Sequence, residues 1–172
     1  MMSRNVRYMI LAALTVSTVV LDQVSKVQIT QTMRLHESIP VFPEFFSLTY
    51  IRNPGAAFGL LASSGHTFRL IFFALTSIFA LGLLGMIFFR LRHDDWVGQL
   101  SIAGILGGAV GNLLDRVRFG EVIDFLDFYV NGYHWPAFNV ADAAISVGVF
   151  FLILHFALEK KEEERVLQQD RS

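Results

Sequence analysis

The stretch Phe138-Asn139-Val140-Ala141-Asp142 places a carboxamide and a carboxylate at the start of an uncharged apolar segment, Ala143 to Leu158. Together with the residues before it, this segment approaches the roughly 20 residues that a helix needs to cross the hydrocarbon of a bilayer. Asp142 therefore lies at or just inside a membrane surface. An acidic side chain costs about 2.5–3.5 kcal/mol at the bilayer centre and less near its edge, so Asp142 is expected to have a partner or a function.

The composition of the whole chain is that of a membrane protein. Its 172 residues are 53% hydrophobic, carry a formal net charge of −1 and include no cysteine. The absence of cysteine excludes disulfides, thiolate metal sites and cysteine nucleophiles. The five histidines form no HxxxH or HExxH pair, so neither a metal nor another cofactor is expected. No cluster of Lys and Arg predicts a nucleic-acid partner.

Hydropathy predicts a mainly α integral membrane protein with four transmembrane helices. In the first segment, the uncharged residues from Tyr8 to Leu21 reach only about 21 Å at 1.5 Å per residue, so the helix must continue through Asp22 and Lys26. We predict one membrane domain, 1–172, whose approximate parts are spans 8–28, 69–89, 96–115 and 139–158, outer segments 30–67 and 117–138, and a charged cytoplasmic tail 159–172.

The outer segments show weaker patterns. Phe46, Leu48 and Tyr50 alternate with Ser47 and Thr49, which predicts a strand or two and hence a small extracytoplasmic β element. A turn is predicted over 53–59, and the second outer segment is expected to be a loop or helix. The third span contains two overlapping GxxxG patterns, which allow another helix to approach closely.

The positive-inside rule favours two cytoplasmic termini, by a narrow margin. In that orientation eight basic residues lie inside and five lie outside: Arg4, Arg7, Arg90, Arg92, Lys160, Lys161, Arg165 and Arg171 against Arg34, Arg52, Arg69, Arg116 and Arg118. The polar residues at the ends of the spans then all fall on the outer face, whereas the inner halves of the spans are almost purely apolar. This distribution predicts a polar cavity that opens to the outer surface.

The residue types available in this cavity favour carboxylate chemistry. There is no GxSxG motif, and the adjacent Ser25 and Lys26 point about 100° apart on a helix, so they cannot form a dyad unaided. Carboxylates are abundant. Two carboxyl groups that share one proton can hydrolyse a peptide, because one activates water while the other polarises the carbonyl.

Four blocks of the sequence, in order and at compatible spacing, resemble the motifs of the lipoprotein signal peptidases, also called signal peptidase II. The resemblance covers about residues 21–146. The blocks are Leu21-Asp22-Gln23-Val24-Ser25-Lys26, Asn53-Pro54-Gly55-Ala56-Ala57-Phe58-Gly59, Gly107-Gly108-Ala109-Val110-Gly111-Asn112-Leu113-Leu114-Asp115-Arg116 with Val122-Ile123-Asp124-Phe125, and Pro136-Ala137-Phe138-Asn139-Val140-Ala141-Asp142.

The resemblance implies an aspartic endopeptidase of the bacterial inner membrane, with its active site at the periplasmic face. Such enzymes remove the signal peptide from prolipoproteins just before a diacylglyceryl-modified cysteine, need no cofactor and are inhibited by the cyclic peptide globomycin. By motif position, Asp124 and Asp142 are the catalytic pair. The supporting residues would be Asp22, Lys26, Asn53, Gly55, Asn112, Asp115, Arg116, Asn139 and Ala141. Membrane lipid is an expected partner, and the chain is expected to act as a monomer.

Local physical chemistry suggests different roles for the two carboxyl groups. Asp142 opens a helix, whose dipole favours the ionised form, whereas Asp124 lies in an aromatic segment, where desolvation favours the protonated form. Asp142 is therefore the expected first base and Asp124 the first acid. Asp127, three residues beyond Asp124, is a rival carboxylate that we interpret as a solvated loop charge.

Simpler interpretations stay open from local pattern alone. Asp142 could be only a helix cap, Asp22 and Lys26 an i,i+4 tether, and Asn53 a turn residue. Arg116 could be an interfacial anchor, and the GxxxG pair only a packing surface. A proton-coupled transporter would place ionisable residues along the whole membrane depth, which this sequence does not do. A scaffold protein would need neither Asp124 nor Asp142.

Overall fold

Four long helices dominate the computed structural model, which describes residues 4–55 and 65–169. The helices are α1 (Arg4–Thr32), α2 (His66–Arg90), α3 (Trp96–Phe119) and α4 (Val140–Gln169). Each contains a stretch that is long and apolar enough to cross a membrane: Asn5–Thr32, Thr67–Arg90, Trp96–Phe119 and Val140–Lys160. The predicted four-helix membrane architecture is confirmed.

The helices extend beyond the predicted spans. The backbone of α4 continues as a helix through the charged tail to Gln169, because Glu, Lys and Gln have good helix propensity and a helix need not end where it leaves hydrocarbon. Part of the predicted turn, residues 56–59, lies outside the described residues, as do the last three positions of the tail.

Four antiparallel strands form a small sheet outside the helices: β1 (Ser38–Phe42), β2 (Phe46–Asn53), β3 (Val122–Val130) and β4 (Tyr133–His134), in that order. The sheet packs on the C-terminal end of α1, where Ile29 and Met33 form a buried core with Tyr50, Ile123 and Phe125. This confirms the predicted β element, and it places the end of β2 beside the start of β3, with Asn53 paired to Val122.

The sequence predicts a loop or helix for the second outer segment, and this prediction is wrong. The segment forms a pair of strands. β3 pairs with β2 along most of its length, and a tight turn at Asn131 and Gly132, with φ of 50° and 79°, leads into β4. Asn and Gly tolerate positive φ, which is the conformation that such hairpin turns require. The sheet partner is distant in sequence, so local aromatic and amphipathic patterning did not reveal it.

α3 lies at the centre of the bundle and packs against α1, α2 and α4. A Cβ at Gly108 would overlap the carbonyl oxygen of Ala141 on α4, and one at Gly107 would lie 2.6 Å from the Cβ of Thr18 on α1. The glycines therefore let backbones approach closely, as small residues do between membrane helices. Gly104 differs, because the nearest atom to its Cβ position is the Ala144 carbonyl oxygen at 3.9 Å.

A matched pair of substitutions tests this packing. Gly108→Ala should lower the free energy of unfolding by about 1–3 kcal/mol, because the new methyl group overlaps a backbone atom that cannot move aside. Gly104→Ala adds the same methyl group in free space and should leave stability unchanged or raise it by up to about 1 kcal/mol through helix propensity. Thermal unfolding in detergent micelles measures both. Equal effects of the two substitutions would contradict the packing argument.

Candidate active site

The C-terminal ends of α1 and α3, the N-terminal end of α4 and strand β3 meet at one end of the bundle. Their polar side chains converge there and are almost fully buried, with exposed fractions of 0–5%: Asp22, Lys26, Asn112, Asp115, Asp124 and Asn139. Buried polar groups need partners within the protein. The hydrogen bonds among these side chains therefore define the site.

Asp142 lies in the first turn of α4, and Asn139 is the residue that caps the helix. The Asn139 side-chain oxygen accepts from the Asp142 backbone N–H at 2.9 Å, and Asp142 Oδ2 accepts from the Asn139 backbone N–H at 3.3 Å. This reciprocal pair is a capping box. Asp142 Oδ1 accepts a further hydrogen bond, 2.8 Å long, from the side chain of Asn112.

Asp124 projects from β3 and is 2% exposed. Its two carboxyl oxygens accept hydrogen bonds from two amide side chains, Asn139 at 2.7 Å and Asn53 at 3.0 Å. Burial raises the pKa of the Asp124 carboxyl from an ordinary value of 3.8 to about 7, and the nearby Asp142 adds to this effect, whereas the two amide donors and Lys26 oppose it. Asp124 can therefore hold a proton near neutral pH.

Two asparagines connect the carboxyl groups of Asp124 and Asp142. Asn139 donates to Asp124 and to Asn112 Oδ1, the latter at 3.2 Å, and Asn112 donates to Asp142. The two acidic side chains thus sit at the ends of one continuous hydrogen-bonded chain. This chain fixes their orientations relative to each other, which general acid–base catalysis requires.

Lys26 is the buried cation that lies next to this series of hydrogen bonds and holds the helices together. Its ammonium lies 2.8 Å from Asp22 Oδ2, 2.8 Å from Asp115 Oδ2 and 3.0 Å from Asn112 Oδ1. The ammonium donates hydrogen bonds to Asp22 and Asn112 and forms a second ion pair with Asp115. The contacts join α1 to α3 through a desolvated ion network, whose charges are compensated inside the protein.

The two carboxylates that bind Lys26 also hold the backbone next to each acidic residue of the site. Asp22 Oδ1 accepts from the N–H of Ala141, which precedes Asp142, at 2.9 Å. Asp115 Oδ2 accepts from the N–H of Ile123, which precedes Asp124, at 3.2 Å. Through these two bonds, the ion network contributes to the positions of both Asp142 and Asp124.

Among the described residues, no group of three or more His, Cys, Asp or Glu side chains has the geometry to hold a metal ion. The arrangement offers two carboxyl groups that are connected through the side chains of Asn139 and Asn112. One of them readily holds a proton. Such a pair can act as acid and base towards a water molecule and a peptide carbonyl.

Comparison with known proteins agrees with this chemistry. The family described as "Signal peptidase (SPase) II" matches residues 14–158. The chain belongs to the signal peptidase II family. Its relatives include the lipoprotein signal peptidases of Geobacter sulfurreducens, 51% identical over 91% of this chain and 96% of the relative, and of Syntrophus aciditrophicus, 50% identical over 83% of this chain and 89% of the relative.

The solved structures that share the fold include two that are described as bacterial membrane enzymes. One is 37% identical with a TM-score of 0.72 and covers 84% of this chain and 90% of its own. The other is 34% identical with a TM-score of 0.75 and covers 87% and 88%. Membership of the signal peptidase II family makes the protein an aspartic peptidase of the bacterial membrane, so the transporter and scaffold alternatives are set aside.

In this signal peptidase II, the remaining sequence-predicted residues lie around the network. Asn53 binds Asp124, and its side-chain oxygen accepts the N–H of Gly55, whose φ is 89°, so Asn53 holds both the turn and the carboxyl group. Arg116 donates to the Asn112 carbonyl oxygen at 3.2 Å and lies over the ring of Phe73. The roles of these residues in the reaction stay predictions.

The interpretation of Asp127 as a solvated loop charge was wrong. Asp127 is 6% exposed and accepts hydrogen bonds from Thr49 at 3.0 Å and from His134 at 2.9 Å. Three residues along a strand place Asp127 on the opposite face from Asp124. The pairing of β3 with β2, which the sequence did not reveal, buries it there.

Sequence reasoning also missed Gln23 as a member of the site. Its side-chain amide donates to Asp115 at 2.9 Å and to the Gly111 carbonyl at 3.2 Å, while its oxygen accepts from Arg118 at 2.9 Å. Gln23 belongs to the first motif block and directly follows Asp22. That position was the signal in the sequence that could have identified it as a site residue.

The expectation that buried polar groups occur at only one membrane face was also wrong. At the opposite end of the bundle, Arg7 is 6% exposed and Gln99 is fully buried. Arg7 binds the ring and the carbonyl of His93, and Gln99 donates to the Arg92 carbonyl. These contacts satisfy the backbone of the loop between α2 and α3, which local hydropathy could not anticipate.

Replacing Lys26 by Met should destabilise the protein by about 3–5 kcal/mol at neutral pH, because Asp22 and Asp115 would be left buried without a cation. Activity should fall with it, since both backbone anchors depend on those carboxylates. Arg34→Met, which removes an exposed cation, should change stability by less than about 0.5 kcal/mol. Unfolding in detergent micelles measures both. A stable, active Lys26→Met variant would refute the structural role of the ion network.

Proposed function

We propose that the protein removes signal peptides from diacylglyceryl-modified prolipoproteins by cleaving before the lipidated cysteine, with Asp124 and Asp142 as the catalytic pair. Family membership supports the peptidase activity and the class of substrate. The residue assignment rests on one observation. Asn139 and Asn112 connect these two carboxyl groups through hydrogen bonds and supply both with neutral amide donors. We further place the protein in the inner membrane, with this site at the periplasmic face.

In the first step Asp142 acts as the base. It accepts a proton from a water molecule as the water oxygen attacks the scissile carbonyl carbon. Asp124, protonated at the start, donates to the carbonyl oxygen and stabilises the tetrahedral intermediate. The raised pKa of Asp124 supports this division of roles, because its carboxyl group retains a proton close to neutral pH.

In the second step the C–N bond breaks. The proton gained by Asp142 passes to the departing amine of the lipidated cysteine, and the tetrahedral intermediate collapses to the carboxylic acid of the released signal peptide. Asp124 recovers its proton as the carbonyl reforms, so the pair returns to its starting state. Asn53, Asn112 and Asn139 hold the two carboxyl groups in position throughout, which reduces reorganisation during the reaction.

The location of the site suits such a substrate. The pair lies where β3 and the start of α4 meet the end of the bundle, so the lipid chains of a substrate can stay in the leaflet while the scissile bond reaches water. Globomycin-type inhibitors are expected to occupy the same site. We also expect the protein to act as a monomer.

The dyad is tested by cleavage of a purified diacylglyceryl-modified prolipoprotein in detergent, followed by gel shift with and without globomycin. Asp124→Asn and Asp142→Asn should each reduce cleavage by at least about 100-fold, because each removes an acid–base group. Asp127→Asn is the matched control on the same strand and should retain activity. More than a few per cent activity in either dyad variant, or an inactive Asp127→Asn protein that folds normally, would overturn the assignment.

The pKa of about 7 for Asp124 predicts two pH effects. Cleavage should decline as the pH rises above about 7, since the acid loses its proton. The folded-state pKa lies above the ordinary value of 3.8, so the stability contribution of the protonated group is complete below about pH 4 and is lost as the pH rises through 7. The loss amounts to roughly 4 kcal/mol.

Cleavage rates and unfolding midpoints between about pH 4 and pH 8.5 test both effects. The Asp124→Asn variant should lose that part of the pH dependence of stability. If wild type and variant instead show the same slope of stability against pH, the proton is not held by Asp124.

A further inference from the structure

An apolar groove runs between α1 and α4 on the membrane-facing side of α3, from Val97 near the α2–α3 loop to Ala144, within one helical turn of Asp142. Its volume is about 400 Å³, and its walls include Leu14, Leu100, Val147 and Phe151. The few hydroxyl groups in the groove are already satisfied, since Thr18 and Ser101 donate to carbonyls of their own helices. The groove therefore suits an apolar ligand.

Gly104 forms part of the floor of this groove and explains why it is open. The glycines that follow it on α3 are in tight contact with neighbouring helices, whereas the nearest atom to a Cβ at Gly104 is 3.9 Å away, at Ala144. Gly104 is thus not needed for helix packing. Its missing side chain instead leaves space in the groove.

The depth of the groove identifies the kind of apolar group that fits. From Val97 to Gly104, α3 advances by about 10 Å at 1.5 Å per residue. One leaflet of the hydrocarbon core is about 15 Å thick, so the groove ends within a single leaflet. A transmembrane helix would need a groove that extends through both leaflets, roughly twice the thickness of one leaflet. The dimensions match an acyl chain of a lipid in the leaflet farther from the catalytic pair.

A polar pocket of about 400 Å³ adjoins the groove at the end of the bundle that carries the α2–α3 loop, and Val97 lines both. Three carboxylates line the pocket, against one arginine and one histidine: Asp94, Asp95, Glu159, Arg92 and His155. Trp96 also lines it, as expected of an aromatic residue at the membrane interface.

The contacts within this pocket show which charges remain available. Arg92 pairs with Asp94 at 3.0 Å, and both side chains are more than 70% exposed. His155 Nε2 lies 3.0 Å from Asp95 and 3.5 Å from Glu159, whose side chain is 50% exposed. The carboxylates outnumber the cations, so the pocket favours a positively charged group, while the exposed Arg92 guanidinium can contact a phosphate.

We propose that the groove and the pocket together bind one phospholipid with a primary-amine headgroup. An acyl chain occupies the groove above Gly104, the ammonium group donates to Glu159 and the neighbouring carboxylates, and the phosphate contacts Arg92. A choline headgroup cannot donate these hydrogen bonds, and a glycerol headgroup carries no positive charge. The headgroup pocket is distinct from the proposed catalytic pair, because it lies at the opposite end of the bundle.

Native mass spectrometry of the purified full-length protein, with dioleoyl phosphatidylethanolamine, phosphatidylcholine or phosphatidylglycerol added to the micelles at equal mole fraction, tests the proposal. The wild type should retain one phosphatidylethanolamine with about tenfold higher occupancy than either other lipid, roughly the effect of one charge-assisted hydrogen bond. Glu159→Gln should reduce that preference at least threefold without changing cleavage activity.

Gly104→Phe fills the floor of the groove and should abolish lipid retention. Gly82→Phe is the matched control, because in the described part of the chain no atom lies within 4 Å of a Cβ at Gly82, and it should retain the lipid. Equal occupancy of the three lipids by the wild type would overturn the proposal. So would retention by a folded Gly104→Phe protein equal to that of Gly82→Phe. If Gly104→Phe does not fold, an unchanged headgroup preference in Glu159→Gln overturns it.

Discussion

The structure depends on the buried ammonium of Lys26 and the two carboxylates that it binds. Taking three charges out of water is costly, and the cost is offset only if every donor and acceptor finds a partner. Lys26 meets this condition with Asp22, Asp115 and Asn112. The ion network consequently joins α1 to α3 in one arrangement. A small displacement of either helix would leave a buried charge without compensation.

Asp22 and Asp115 extend this constraint to the rest of the site. Asp22 does so with the carboxyl oxygen that does not bind Lys26, and Asp115 with the same oxygen that binds it. They accept the backbone N–H groups of Ala141 and Ile123, each of which immediately precedes one member of the proposed catalytic pair. The supporting carboxylates therefore act on backbone position, and the asparagines act on side-chain orientation. Together they preorganise two acidic groups on different elements, α4 and β3, without requiring either to contact the lysine.

This division explains how one member of the pair can hold a proton. In general, a positive charge in direct contact with a carboxyl group favours its ionised form. Asp124 instead receives its hydrogen bonds from neutral amides, and burial raises its pKa to about 7. The positive charge is thus used for architecture, while the proposed reacting groups stay in an environment in which a proton can be shared near neutral pH. The lysine and the asparagines have complementary tasks.

The sequence by itself determined the four spans and the β element and predicted which polar residues form the candidate site, because long uncharged runs, Asp142 at the start of one of them and four motif blocks are all local features. It could not determine the pairing of β3 with β2, the burial of Asp127 or the inclusion of Gln23, since each depends on partners far away in the chain. Local polarity likewise suggested one polar face and did not reveal the cluster around Arg7 at the other end. Spacing within α1 was enough to suggest the pair of Asp22 with Lys26. Only the tertiary structure decided that Asp115 also binds the lysine and that Asp124 and Asp142 are left for amides, because that choice rests on distances between elements that no spacing within one segment specifies.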